Sequence, residues 1–456
     1  MTLAAPQHRW IDASVDTCEQ VNALIAEPVI GRASWRPGRW RNWWVALACA
    51  APFALAFFVG LYWELDQGVG VFGNNTTIVW GFPIANYVWW IGIGNAGTLI
   101  SALLLLTRQP WRASINRFAE AMTLFSVSIA GIFPIIHLGR PMFFYWLAPY
   151  PNVMGLWPQW RSALVWDFWA ILSYLLFSVT FWYVGLIPDL ATLRDRAHHP
   201  LVRKLYGAFA LGFRGSAWQW SLHQGLYRTM AGLAVPLVCS VHSIVGLDFA
   251  ASLMPGWQES LFPPYFVVGA MFSGFAMVII LGALIRHALN LKSLVTDRHF
   301  DAMAKITVAA ACIMGFGYAT EWFMSWYSGE RAERSYLAYA LTGHYWPLYA
   351  LMMLGNVFLP QILWFKRARA SLPALITVAV GVLMGMWFER ILIIWNTLGH
   401  GYLPTLWRVF WPTVWDYAVM AGSVGFFITL FLLFVRILPS ISMFEVRELA
   451  MQERDA

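Results

Sequence analysis

Ionisable side chains inside long apolar segments are the residues of this sequence best suited to chemistry. A charge at the centre of a membrane helix costs about 2.5–3.5 kcal/mol on insertion scales, so such a residue is a functional candidate. Histidine exchanges a proton near neutral pH, and a half-buried carboxylate with a raised pKa can take one up. The candidates are His137, Asp167, His242, Asp248, Glu321, Glu389, Arg390 and Asp416, with Arg140 just after the third segment.

Ten apolar segments must position these residues. The chain is 59% hydrophobic and only 12% charged, whereas soluble domains are roughly 25% charged and a membrane span needs about 20 apolar residues. The sequence predicts an all-α integral membrane protein with an N-terminal arm over 1–41, a ten-helix domain over 42–438 and a C-terminal tail over 439–456. The predicted spans are 42–65, 84–107, 115–137, 163–187, 225–250, 264–287, 301–326, 345–366, 372–395 and 413–438.

The Lys and Arg residues of the tails, the loops and the adjoining ends of the spans are distributed unequally. Twenty-one lie on the side that holds both termini and five on the opposite side. Because positive charge is retained in the cytoplasm, both termini are predicted to be cytoplasmic. The net charge of +7 reflects this topology and requires no nucleic acid. A basic patch against anionic lipid would give the same pattern.

The predicted orientation brings candidate residues from six helices to one level near the outer surface. This arrangement indicates a polar cavity that opens outward beneath aromatic loops, whereas the inner half contains few titratable groups. Each residue taken alone also has a structural interpretation. His137 and Arg140 suit a solvated helix end, and Asp248 and Asp416 suit a solvated surface. Asp167 suits a structural ion pair with Arg161 or Arg390. Glu389 and Arg390 are adjacent and are expected to point in different directions. Arg117, Arg228 and Lys305 are expected to extend to the inner surface.

Motifs for bound redox groups and nucleotides are missing from the sequence. The cysteines Cys18, Cys49, Cys239 and Cys312 are isolated, with no C-x-x-C pair. We therefore expect no haem and no iron–sulfur cluster in this chain, although an inner haem between His223 and His287 is a geometric alternative. No metal site is predicted. The segment from Asp12 to Ala26 suits an amphipathic surface helix or a flexible tail.

Two neighbouring motifs carry a resemblance to a known family. They are HLGRP and PYPN within IIHLGRPMFFYWLAPYPN at 135–152, followed by RSALVWDFWAILSY at 161–174. The sequence resembles the NrfD/polysulfide-reductase membrane-subunit family, and most closely the quinol-oxidising ten-helix subunit of alternative complex III. The resemblance implies two four-helix bundles, about 84–250 and 264–395, with the first and last helices peripheral.

The same resemblance implies a respiratory electron-transport function in the bacterial cell inner membrane. Quinol, either menaquinol or ubiquinol, is expected to be oxidised at the periplasmic face, where His137 and Asp167 are the catalytic candidates and Arg140 and Arg390 help to bind it. His242, Asp248, Glu321, Glu389 and Asp416 are expected to extend the site or form a path for proton translocation. The implied partners are an iron–sulfur subunit, multihaem and monohaem cytochrome c subunits, a second NrfD-like subunit and, in some assemblies, a terminal oxidase.

Three other classes of function remain open on the sequence alone. A structural or proton-conducting NrfD-like subunit without its own quinone site would share the fold, which by itself does not settle function. A secondary transporter would place its site near the membrane midplane, whereas these charges lie toward one face. A passive membrane anchor would not need ionisable residues on six helices at one level.

Overall fold

The computed structural model describes residues 9–30 and 41–455. Within these ranges ten helices are long and apolar enough to cross a membrane, which confirms the predicted multi-pass all-α fold. In chain order, α1 to α10 are Arg41–Gln67, Phe82–Leu106, Asn116–Ile136, Ala163–Arg196, Ala217–Ala250, Phe262–Ala288, Asp297–Tyr327, Trp346–Trp364, Leu372–Gly399 and Val414–Ile437. The helices α4 and α5 exceed their predicted lengths because their polar ends continue the helix beyond the apolar core.

The ten helices form two bundles and a peripheral pair. Helices α2 to α5 pack together as the first bundle, and α6 to α9 as the second. Helix α6 also packs on α2 and α5 and so joins the bundles, while α1 and α10 pair with each other beside α3. A Cβ at Gly274 of α6 would lie 1.7 Å from the Cβ of Ala96 on α2, so this glycine permits the close approach of the bundles.

Both described ends of the chain lie on the same side of the bundles, here called the terminal side; the other end is the distal side. The helix Cys18–Ile25 is shorter than the predicted amphipathic helix, and 1–8 and 31–40 of the predicted arm lie outside the described residues. The arm contacts the C-terminal helix Met443–Asp455, where the Trp10 amide donates to Glu453 Oε1 at 2.7 Å. The cytoplasmic placement of this side stays a prediction.

Helix α8 changes its winding beside the second bundle's polar core. It begins as an α-helix, passes through a π-helical turn at Leu354–Phe358 and ends as a 3₁₀-helix at Leu359–Trp364. A Cβ at Gly355 in this turn would lie 2.4 Å from the Gly381 carbonyl oxygen of α9, so the two helices touch through their backbones. Such turns are frequent at functional sites; this one directs Asn356 toward α9.

Candidate functional site

Two carboxylates and a tyrosine meet at the distal end of the first bundle. Tyr87 of α2, Asp167 of α4 and Asp248 of α5 are 2%, 6% and 8% exposed. Asp167 lies close enough to Tyr87 and Asp248 to interact with both, yet one buried oxygen of each of the three side chains makes no hydrogen bond of good geometry among the described residues. Buried polar groups are normally hydrogen-bonded, so these oxygens mark a candidate ligand site. The expectation that Asp248 is solvated is wrong, because α4 and α2 cover it.

His137 lies directly after the last turn of α3 and is linked to this end of the first bundle through two aromatic rings. Its ring meets the edge of Trp80 at a centroid distance of 6.3 Å, and Trp80 also contacts Phe249, the residue after Asp248, at 6.2 Å. Burial lowers the pKa of His137 to about 4. The imidazole is therefore neutral at physiological pH, and its unprotonated nitrogen can accept a hydrogen bond from a hydroxyl group.

The two arginines predicted to assist this site have different environments. Arg140 is exposed in the loop after α3, and its side chain forms no ion pair within the described parts of the chain. Arg390 is buried in α9 and pairs with Glu389 at 3.0 Å, while its guanidinium lies 4.1 Å from the Phe266 ring centroid. The prediction that Glu389 and Arg390 point apart is wrong. Gly269 of α6 lies against the guanidinium, because a Cβ there would lie 3.0 Å from Arg390 Nη2.

Glu389 belongs to a buried hydrogen-bond network of the second bundle. The Tyr318 hydroxyl donates to Glu389 Oε2. Asn356 Nδ2 donates to the same oxygen at 3.2 Å and to the Tyr318 hydroxyl at 2.8 Å. Tyr265 lies alongside, with its hydroxyl buried and without a partner among the described residues. The π-helical turn of α8 thus places Asn356 against Glu389, which is one of the candidate residues predicted from the sequence.

His242 connects this network to the first bundle. It lies close enough to Arg390 for a charge interaction, and its Nδ1 is hydrogen-bonded to the Asn95 side-chain amide of α2. Its Nε2 is buried without a partner in the described chain and faces Gly92, where an added Cβ would lie 4.0 Å away. His242, Arg390 and Glu389 therefore form a polar chain between the two bundles.

Glu321 lies apart from the His137 and Asp167 site. It is half-buried on α7, where the acids of Glu259, Glu333 and Glu389 interact with it electrostatically. Glu333 accepts the Gly256 amide at 3.1 Å. Burial and the nearby charge of Glu333 raise the pKa of Glu259, on the α5–α6 loop, to about 7. This acidic group forms a second polar region at the distal end.

Asp416 is buried and hydrogen-bonded to the backbone, so the alternative that it lies at a solvated surface is wrong. It is fully buried at the start of α10, and its Oδ2 accepts the Thr413 and Gly73 amides at 2.8 Å each. These bonds cap the helix and attach the α1–α2 loop to it. Asp416 is thus separate from the group around Asp167.

A buried ionic network on the terminal side was not anticipated from the sequence. Arg117 is fully buried rather than extended to the surface, and it contacts Glu120 at 3.3 Å and Asp189 at 3.1 Å. Arg112 binds Glu445 of the C-terminal helix at 2.6 Å. The prediction of few titratable groups in this half is therefore wrong. The one sequence signal was the i, i+3 spacing of Arg117 and Glu120, which places them on one helix face.

These observations define a ten-helix integral membrane protein with a buried, unpartnered polar site at one end of its first bundle. The sequence profile described as "Polysulphide reductase, NrfD" matches residues 70–399, more than half of the chain. The chain belongs to the NrfD family.

Two curated relatives have similar sequences. One is a putative membrane subunit of a dimethyl sulfoxide reductase from Halobacterium salinarum, 26% identical over 241 residues, 51% of this chain and 50% of that protein. The other is a selenate reductase subunit from Mesobacillus selenatarsenatis, 23% identical over 413 residues, 85% of this chain and 92% of that protein. The match thus spans half the length of the first relative and nearly all of the second.

Proposed function

We propose that this chain is the quinol-oxidising membrane subunit of an oxidoreductase complex. The observation that carries the proposal is the set of unpartnered buried oxygens on Tyr87, Asp167 and Asp248. A quinol carries two hydroxyl donors on an apolar ring and reaches such a site from the bilayer. The relatives support the class of complex, since their names describe a reductase membrane subunit and a reductase subunit.

The chemistry requires two electrons and two protons to leave the quinol. Asp167, with Asp248 beside it, would accept one hydroxyl proton, and neutral His137 would accept the other. Trp80 contacts both His137 and Phe249, the residue after Asp248, and these aromatic rings suit contact with a quinone ring. Because the sequence offers no ligand motif for a redox centre, we propose that the electrons pass to an iron–sulfur partner subunit.

The loop between α3 and α4 supports a partner on the distal side. Met142, Val153, Met154 and Trp157 of this loop are 74–104% exposed, close in sequence to His137 and Asp167. An exposed apolar surface next to a site marks a protein interface. By the positive-inside rule this side is periplasmic, and the membrane would be the bacterial inner membrane.

The larger assembly has two forms under this proposal. In an alternative complex III, cytochrome c subunits, a second NrfD-like subunit and a terminal oxidase would take up the electrons. In a complex like those of the named relatives, a reductase subunit would do so. The names of the relatives favour the second form. Menaquinol and ubiquinol both suit the site.

A row of polar residues along one face of α2 supports proton translocation coupled to quinol oxidation. Asn95, Thr98 and Ser101 recur every three residues on one face of the helix. Asn95 contacts His242, Thr98 contacts Ser178 of α4 at 3.3 Å, and Ser101 donates to Glu120 at 2.5 Å. The row thus leads from the polar chain between the bundles to the terminal ionic network, which could supply the protons.

A quinone-binding titration of the intact complex tests the proposal. Asp167→Asn preserves side-chain volume but removes the base, and His137→Gln removes the imidazole. We expect quinol oxidation to fall about 10²–10⁴-fold in each variant, and quinone-site inhibitor binding to weaken. Arg228→Gln, an exposed change on the terminal side, is the control. Normal oxidation and inhibitor binding in both site variants would remove quinone from this chain and leave it a scaffold or proton conduit.

A further inference from the structure

We propose that a groove on the terminal side binds one anionic phospholipid. The groove has a volume of about 1090 Å³ and lies between α1, α4, α10 and the surface helix Pro200–Phe209. Its walls are mainly aliphatic and aromatic side chains, as a pair of acyl chains requires. The site lies far from the distal quinol site and does not depend on the function proposed above.

The surface helix presents an apolar face to this groove. Leu201, Leu205 and Phe209 recur every four residues, so they lie on one face, and each is 58–63% exposed. The helix is anchored by its other residues, since the Tyr206 hydroxyl donates to the Ile437 carbonyl of α10 at 2.7 Å. An amphipathic helix at the membrane surface buries its apolar face among acyl chains.

The charges at the groove favour an anionic headgroup. The Arg436 guanidinium lines it together with the imidazoles of His198 and His199, whose ring N–H groups can donate to a phosphate, and no Asp or Glu does so within the described chain. Arg436 also contacts the Val29 carbonyl at 3.4 Å, which holds the guanidinium at the groove. The two histidines directly follow the polar end of α4. Basic pockets between helices on this side commonly bind acidic lipids.

The aromatic residues at the start of α1 are consistent with this depth. Trp44 lines the groove and is 63% exposed, whereas the Trp43 indole donates to the Leu432 carbonyl of α10 at 2.8 Å. Tryptophans of this kind lie at the headgroup level of a membrane. The groove therefore combines apolar walls, an interfacial rim and a cationic end, which together select a phospholipid of the terminal-side leaflet.

Native mass spectrometry of the purified complex tests this site. The complex is exchanged into phosphatidylglycerol or phosphatidylcholine with the same acyl chains, and the lipid retained per chain is measured. We expect about one phosphatidylglycerol to be retained and phosphatidylcholine to be displaced. The double variant His198→Gln and Arg436→Gln should retain at least about fivefold less phosphatidylglycerol.

A second variant guards against a folding defect in the first. Leu205→Asp places a carboxylate on an exposed residue of the surface helix, so it should repel the lipid at unchanged melting temperature. Arg228→Gln is the control, because Arg228 is exposed on the same side but outside the groove. Equal retention of both lipids by the unaltered chain would refute the proposal. Full phosphatidylglycerol retention in folded Leu205→Asp would also refute it, because the retained lipid would then be bound outside the groove.

Discussion

The buried ionic network on the terminal side makes a quantitative prediction about stability. Arg117 donates to Glu120 at 3.3 Å, to Asp189 at 3.1 Å and to the Gly185 carbonyl at 2.8 Å. All three charged side chains are at most 1% exposed. Replacement of Arg117 by Met fills a similar space but leaves two carboxylates without their shared cation.

The expected cost of Arg117→Met is about 3–5 kcal/mol in the free energy of unfolding, because it leaves uncompensated buried charge. Arg117→Lys retains the charge but loses the planar fork that reaches both acids, so a smaller loss of about 1–3 kcal/mol is expected. Combining Arg117→Met with Glu120→Gln and Asp189→Asn removes all three charges. This triple variant should recover most of the loss.

Equilibrium unfolding in mixed detergent micelles, followed by tryptophan fluorescence, measures these differences. The exposed Arg228→Met is the control and should stay within about 0.5 kcal/mol of the unaltered chain. A cost below about 1 kcal/mol for Arg117→Met would show that water or another cation compensates the acids. A triple variant less stable than Arg117→Met would show that hydrogen bonding, rather than charge, dominates the network.

Three further variants test other parts of the structure. Gly274→Ala would force α6 away from Ala96 and should cost about 1–3 kcal/mol in the same unfolding assay. Asp416→Ala removes the carboxylate that accepts the Thr413 and Gly73 amides and should cost about 1–3 kcal/mol without altering quinone-site inhibitor binding. The pKa of Glu259 is raised to about 7, so its contribution to stability is present below its ordinary pKa and lost as pH rises through 7. Glu259→Gln should therefore melt higher than the unaltered chain at pH 8 but not at pH 5.

The ten spans could be predicted because hydropathy reports directly on helices that lie in a bilayer. The partners of the buried charges could not be predicted, because the two members of a pair are far apart in sequence or their contact depends on local backbone detail. Arg112 is paired with Glu445, which lies 333 positions later in the sequence. Arg390 pairs with its neighbour Glu389, and its guanidinium lies against Gly269 of α6. Neither fact is visible in the composition of a single helix.

The candidate site was predicted in part for a related reason. A search for charges inside apolar segments finds Asp167 and Asp248, and the structure brings these two together. The same search passes over Tyr87 and Asn95, whose side chains are neutral and common in helices. Their importance comes from where the fold places them: one lies beside two acids and the other on His242.

The buried carboxylates at the two ends of the first bundle differ in whether a cation is paired with them. On the terminal side, Arg112 and Arg117 neutralise nearby carboxylates, so that network stabilises packing without a ligand. On the distal side, Asp167 and Asp248 lie together with no cation paired to either in the described chain, and both keep an unpartnered oxygen. Two adjacent buried acids are unfavourable when both are ionised. A fold that keeps such a pair gains when a hydrogen-bond donor reaches it, and under the function proposed above one hydroxyl of the quinol is that donor.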